Sequence, residues 1–225
     1  MSTRLRVATW NIHRGVGLDG RFAPERVARV IEELDADVIA LQEVGSRRTE
    51  VDMQRHLADA LGHGVHFVAT CTDRHGEFGN ALLSRLPLAS SACQLLGVPG
   101  REPRNAIDAV LDADGRQLRV VATHLGLLRS ERDGQVRRLA DLLAGNTLPL
   151  LVMGDFNAWR GRMLRGLGGG APAAPRTFPS PFPVAALDRI LVSPPAVCRR
   201  LLVHRSRLSR VASDHLPLVG ELEIP

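Results

Sequence analysis

Apolar residues in this chain gather into short runs bounded by Gly, Pro, Asn and Asp, the pattern of buried strands separated by turns. It predicts strands at about 4–12, 37–43, 65–71, 79–84, 88–96, 105–112, 117–124, 148–155, 188–193, 198–204 and 217–223. A helical period replaces it at about 24–35, 50–61, 131–145 and 159–165. In the first helix Pro24 sits in the opening turn, where its missing N–H goes unused, and Val27, Val30, Ile31 and Leu34 share one face. In the third, Val136, Leu139, Leu142 and Leu143 form the stripe, and Gly145-Asn146 supplies the stop. Between 65 and 124 the strands follow one another with no helix between them, so the chain is not a simple alternation of strand and helix. Two sheets packed face to face with helices outside fit the pattern. The stretch 161–184 carries Gly168-Gly169-Gly170 and five prolines and cannot be one regular element. Lying just after the 148–155 strand, it is expected to be a substrate-facing loop.

Many of these strands end in a chemically useful residue. Thr9-Trp10-Asn11-Ile12-His13 closes the first, Gln42-Glu43 the second, and His124 follows Val120-Val121-Ala122-Thr123. Gly154-Asp155-Phe156-Asn157 follows Leu148 to Met153. Asp188 opens the run to Val192, and Ser213-Asp214-His215 precedes Leu216 to Val219. Asp155 and Asn157 are two apart, so in an extended strand end they leave the sheet on one side. A carboxylate beside a carboxamide suits a water that must be deprotonated and an oxyanion that must be held. Glu43, Asp214 and Asn11 are hard oxygen donors without a thiolate cluster nearby, which favours Mg²⁺ or Mn²⁺ over zinc.

At 225 residues, with 44% apolar content and a net charge of +5, the chain fits one domain spanning 1–225. All 29 basic residues are Arg. The absence of Lys excludes a P-loop and Schiff-base chemistry, while Arg offers a bidentate fork for phosphate. Arg199, Arg200, Arg205, Arg207 and Arg210 form a run without an acid, either a solvated face or an anion-attracting rim. Cys71, Cys93 and Cys198 lack zinc spacing and read as reduced core thiols. Trp10 and Trp159 read as packing residues. The N-terminal residues carry no apolar h-region and no run reaches membrane-span length, so a cytoplasmic monomer without stable membrane insertion is expected.

The ordered set WNIH, LQEV, GNALLSR, THL, GDFN, LDRI and SDHLPL, running from about Val7 to Val219, resembles the endonuclease/exonuclease/phosphatase superfamily. Thr177-Phe178-Pro179 ahead of Leu187-Asp188 looks most like its small bacterial members. The resemblance implies a four-layer α/β/β/α sandwich of the DNase I-like kind. It implies Glu43 as the main metal ligand, with Asn11 and Asp214 completing or water-bridging the site. It implies Asp155 as the group that orients and deprotonates water, Asn157 as an amide donor, and an Asp188–His215 pair on the phosphate. His124 is the second histidine, giving a hydrogen bond or proton to phosphate. Asn80 and Arg104 are further substrate candidates, and Arg176 is one from the 161–184 loop. The expected activity is metal-dependent phosphoester hydrolysis by in-line water attack, on a small or lipid-type phosphodiester or phosphomonoester. A DNA or RNA nuclease is the alternative within the superfamily, and a non-catalytic phosphate-binding module the alternative outside enzymes.

Overall fold

A computed structural model describes residues 2–45, 53, 56–57, 64–73, 76–159, 161–167 and 174–225, with backbone alone at 69, 71–73, 76 and 165. The first strand, β1 (Thr3–Asn11), alternates its apolar residues between two covered faces. Leu5 and Val7 face one core, Ala8 and Trp10 another. Helix α1 (Pro24–Leu34) crosses over to β2 (Val38–Gly45), which lies parallel to β1. Then follow β3 (Gly64–Asp73), β4 (Gly76–Ser84), β5 (Leu88–Leu95), β6 (Asn105–Asp112) and β7 (Gln117–His124). Helix α2 (Arg129–Leu143) crosses to β8 (Leu150–Asp155), parallel to β7. The chain ends in β9 (Asp188–Ser193), β10 (Val197–Val203), the single turn α3 (Ser209–Ala212) and β11 (Leu218–Ile224).

The first sheet has the order β10-β11-β1-β2-β4-β3 and the second β5-β6-β7-β8-β9. Three apolar layers define the sandwich. One joins the inner faces of both sheets through Val7, Val38, Leu82, Val120, Leu151 and Leu218. A second packs Val27, Val30 and Ile31 of α1 on the first sheet. A third packs Val136 and Leu139 of α2 on the second. The architecture is therefore helix, sheet, sheet, helix, as the sequence pattern requires.

The differences from expectation are local. The 159–165 segment forms a 3₁₀ helix at Gly161–Leu167 rather than an α-helix. The helix expected at 50–61 lies mostly outside the described residues; Met53, His56 and Leu57 are helical, and Met53 and Leu57 are buried. Of the thiols, Cys93 is exposed rather than core, Cys198 is half-buried and packs against the core between the sheets, and the Cys71 side chain lies outside the description. Trp10 is fully buried, but Trp159 is 67% exposed, against the packing role expected of it.

Helix α2 buries Glu131, Arg132 and Gln135 beside its apolar stripe. These polar residues fix the loop that leaves β7. Gly126 N–H donates to Gln135 Oε1 (2.8 Å), Arg132 donates to the Gly126 carbonyl (3.1 Å), and Gln135 Nε2 donates to Glu131 (3.1 Å). A Cβ on Gly126 would lie 2.0 Å from the Glu131 carboxyl carbon, so any side chain there would have to displace that carboxyl group.

Candidate active site

Parallel pairing brings the C-terminal ends of β1 and β2 to one edge of the first sheet, and those of β7 and β8 to the matching edge of the second. The antiparallel strands β9 and β11 start at that same edge. The strand-end residues singled out in the sequence therefore meet between the sheets.

Glu43 sits where the β2–β4 register slips between Leu41 and Val44, with φ of 54°. This bulge turns a side chain that regular pleating would send elsewhere. Asn11 Nδ2 donates to Glu43 Oε1 at 3.0 Å and to Asp155 Oδ2 at 3.2 Å, while its Oδ1 accepts the His13 N–H. One amide thus bridges the two carboxylates and the two sheets.

Asp155 is 1% exposed. Its Oδ1 accepts the Asn157 N–H at 2.9 Å, an Asx-type closure that puts Asn157 at φ of 49°. Gly154 before it pairs with Thr123, and a Cβ there would lie 1.8 Å from the Thr123 carbonyl oxygen. Asp155 Oδ2 lies 3.5 Å from His124 Nε2 and 3.7 Å from His215 Nε2.

The two histidines are tuned in opposite directions. Burial lowers His124 to about 4; Asp155 opposes this, and the charges of Arg104 and His215 reinforce it. Donors meet both ring nitrogens of His124: the Arg104 guanidinium lies 3.3 Å from Nδ1 and the Asn157 amide nitrogen 3.3 Å from Nε2. For His215 burial again pushes down, but Asp188, Asp155 and Asp214 outweigh it and raise the ring to about 10. Its Nδ1 donates to Asp188 Oδ2 at 2.9 Å. That oxygen also accepts from Thr177 Oγ1, and Phe178 packs its ring 4.8 Å from the imidazole. Trp10 Nε1 donates to the His215 carbonyl at 2.9 Å, tying the loop to the core.

The remaining expected residues divide. Asn80 is buried and donates to Asn105 Oδ1 (2.9 Å), and Thr123 Oγ1 donates to the Asn105 carbonyl (3.0 Å), so Asn80 shapes the floor rather than facing solvent. Arg104, 6% exposed, lies beneath His124 and pairs with Glu102, which makes it a support for the histidine rather than an open anion contact. Arg176 is exposed beside Thr177. Asp214 is half-buried, accepts from Ser213 Oγ (3.3 Å), and acts on His215 through its charge. Within the arginine run, Arg199 is taken by Glu223 at the opposite edge, while Arg205, Arg207 and Arg210 stay exposed at this one.

Sequence reasoning assigned no role to Thr177, Asn105 or Arg189. Arg189 is buried with its guanidinium on the Ala158 carbonyl (3.1 Å). Burial lowers its pKa, with Asp188 and Asp155 opposing. Thr177 did carry a signal, since it lies in the Thr177-Phe178-Pro179 segment already noted for its resemblance.

Two groups can be tested for a cation. Asp155, Asp188 and His215 bring ligand-type atoms within 4.8 Å of one another. In that group Asp188 Oδ2 is committed to Thr177 and to His215, while Asp188 Oδ1 is buried without a hydrogen-bond partner among the described residues. Glu43 instead bonds the neutral amide of Asn11, which does not compensate its charge. Glu43, Asn11 and Asp214 offer an all-oxygen donor set of the kind that fits a hard divalent ion.

A two-sheet sandwich whose paired parallel strands deliver these residues to one edge is a DNase I-like fold. The profile of the Endonuclease/Exonuclease/phosphatase family matches residues 8–215, and the chain belongs to that family, whose members include nucleases and phosphatases. It is 30% identical to the uncharacterized protein YbhP of Escherichia coli (strain K12), over 97% of this chain and 96% of that one. Its fold is similar to that of an endonuclease/exonuclease/phosphatase from Beutenbergia cavernae DSM 12333, with a TM-score of 0.81 at 24% identity over 99% of this chain and 72% of that one. The human Nocturnin catalytic domain, solved with a bound sulfate anion, superposes with a TM-score of 0.77 at 25% identity, over 99% of this chain and 94% of that one.

Proposed function

We propose that this chain is a divalent-metal-dependent phosphoester hydrolase in which water attacks phosphorus in line with the leaving group. The observation that carries this reading is the setting of Asp155. One oxygen is fixed by a backbone N–H at 2.9 Å, and the other meets only the longer contacts to Asn11, His124 and His215. A buried carboxylate held at one oxygen and loosely engaged at the other is suited to orient a water and take its proton.

The charge states of the histidines divide the remaining work. His215, kept as an imidazolium by Asp188, faces the site through Nε2 and stabilises negative charge growing on the phosphoryl oxygens. It serves as a fixed cation rather than a base. His124 is neutral near pH 7, and with Arg104 at Nδ1 it would give its Nε2–H to a phosphoryl oxygen. The second Asn157 amide hydrogen, beyond the one given to Leu125, faces that same Nε2 and would turn to the phosphoryl oxygen beside it. Glu43 would hold the Mg²⁺ or Mn²⁺ ion, with Asn11 and Asp214 completing or water-bridging the site, and the chemistry it would supply is Lewis-acid polarisation of a phosphoryl oxygen.

For the substrate, we favour a small or lipid-type phosphodiester or phosphomonoester over duplex DNA. The chain has no Tyr, so base-stacking platforms are scarce. Phe178 and the exposed Arg176 flank His215, offering an apolar wall and an anion contact to a compact group.

The test is turnover with Mg²⁺ or Mn²⁺ against chelator, at near-physiological salt. The panel holds nitrophenyl phosphates, glycerophosphodiesters, phospholipid vesicles, single-stranded RNA and plasmid DNA. Chelator-sensitive hydrolysis of small or lipid phosphoesters is expected. Robust plasmid nicking with negligible small-ester turnover would reverse the substrate assignment. No metal-dependent turnover of any phosphoester would leave a phosphate-binding module.

A further inference from the structure

The large apolar side chains left exposed are not spread over the surface. Among the described residues they are Leu18, Leu88, Leu95, Leu127, Leu128, Trp159, Phe182, Val184, Val197 and Val211. Only Leu88 and Val197 lie at the edge away from the site, opposite Leu111 at the end of β6 and Glu223 at the end of β11. The others lie at the edge that carries Asp155 and His215. Leu127 and Leu128 follow His124 on the loop that Glu131, Arg132 and Gln135 hold rigid. Trp159 comes two residues after Asn157, whose amide is bonded to Leu125, so these three rise together on one side of the site.

On the other side, Phe182 is 81% exposed and Val184 58%. Ser180 ties their loop to the Asp214 and Ser213 carbonyls. Leu18 N–H donates to the Val211 carbonyl, which places that pair beside it. Arg205, Arg207 and Arg210 stand exposed on the adjoining turn, and Arg176 on the Phe182 loop.

Exposed aromatic and branched aliphatic tips interleaved with arginines are the features of a surface that enters a lipid interface. The geometry points to this edge docking on an anionic phospholipid bilayer, with the site opening onto the headgroup layer. Charge and side-chain type select this occupant. A second copy meeting the same face would oppose arginine to arginine. Single-stranded nucleic acid would satisfy the arginines, but six of the eight exposed apolar residues at this edge are Leu or Val and offer no π face for stacking. A bilayer satisfies both sets, since the arginines remain at the phosphates while the apolar tips pass below. This inference narrows the hydrolase reading above to a substrate presented at a membrane surface, yet it can be tested without catalysis.

Trp159 is a built-in reporter, because the chain's other tryptophan, Trp10, is fully buried. The full chain is titrated in chelator, at about 0.1 M salt, with vesicles of phosphatidylglycerol and phosphatidylcholine, and separately with phosphatidylcholine alone and with single-stranded DNA. Co-sedimentation with the anionic vesicles is expected, with a blue shift and protection from acrylamide that Trp159→Phe abolishes. Leu127→Ser and Phe182→Ser should each weaken vesicle partition by about tenfold. Both should keep turnover of a soluble nitrophenyl ester. Adsorption without a Trp159 shift, no adsorption, or a Trp159 response to DNA alone would each overturn the docking. An inactive protein that still inserts Trp159 would sink the hydrolase reading and leave the docking standing.

Discussion

At Asp155 the protein places a carboxylate between a neutral and a charged imidazole, and the asymmetry has measurable consequences. Asp155→Asn preserves the contacts to Asn157 and Asn11 in shape but removes the proton acceptor. Turnover should fall by about 10²–10⁴-fold with the folded state intact by circular dichroism; a loss below about tenfold at saturating metal would contradict the assigned role. The histidines should also leave opposite marks on stability. His124, lowered to about 4 from 6.5, favours the folded state above pH 6.5, and that contribution is lost as pH falls toward 4. His215, raised to about 10, favours it below pH 6.5, and that contribution is lost as pH rises through 10. Urea midpoints of the metal-free protein should therefore fall on both sides of near-neutral pH. His215→Asn should flatten the alkaline side alone and His124→Asn the acid side alone. An unchanged alkaline slope in His215→Asn would show that Asp188 does not hold the ring charged.

The strand ends owe their positions to backbone choices as much as to the side chains they carry. Gly154 is the clearest case, since a methyl group there meets the backbone of β7 rather than a flexible side chain. Gly154→Ala should lose about 3 kcal/mol or more of stability in urea titration, whereas Gly161→Ala, with nothing near its Cβ, should be neutral. A neutral Gly154→Ala would mean that β7 and β8 can part without loss. The strands and the edge they share were legible because each motif is contiguous and ends an apolar run. What was not legible depends on contacts between segments. Thr177 reaches Asp188 across a loop, and Asn80 finds Asn105 on the other sheet. In α2 the buried Glu131, Arg132 and Gln135 look in sequence like a solvated face. Trp159 misled in the opposite sense, because an apolar residue after a strand is ordinarily core, and only the loop's path shows its tip left in water.

Across the whole molecule, Glu43, Asn11 and Asp214 come from separate segments that only the fold brings to one edge, so an ion held there would bind the folded state alone. Mg²⁺ at about a hundredfold over its Kd should add about 2.7 kcal/mol, which for a chain of this size is roughly 5–10 °C in Tm. Glu43→Gln should lose most of that increment in differential scanning calorimetry. An equal increment in the variant would move the ion away from Glu43. The pairing of Thr3 with Ile224 has a separate consequence during synthesis. β1 is made well before one of its two neighbours, β11, with every other described strand coming between them. Until β11 emerges from the ribosome, β1 carries a bare hydrogen-bonding edge, and His215 has not yet reached Asp188. The growing chain thus presents an unpaired strand edge and an unfinished site for as long as the strands between take to be made, the interval in which chaperone shelter counts most.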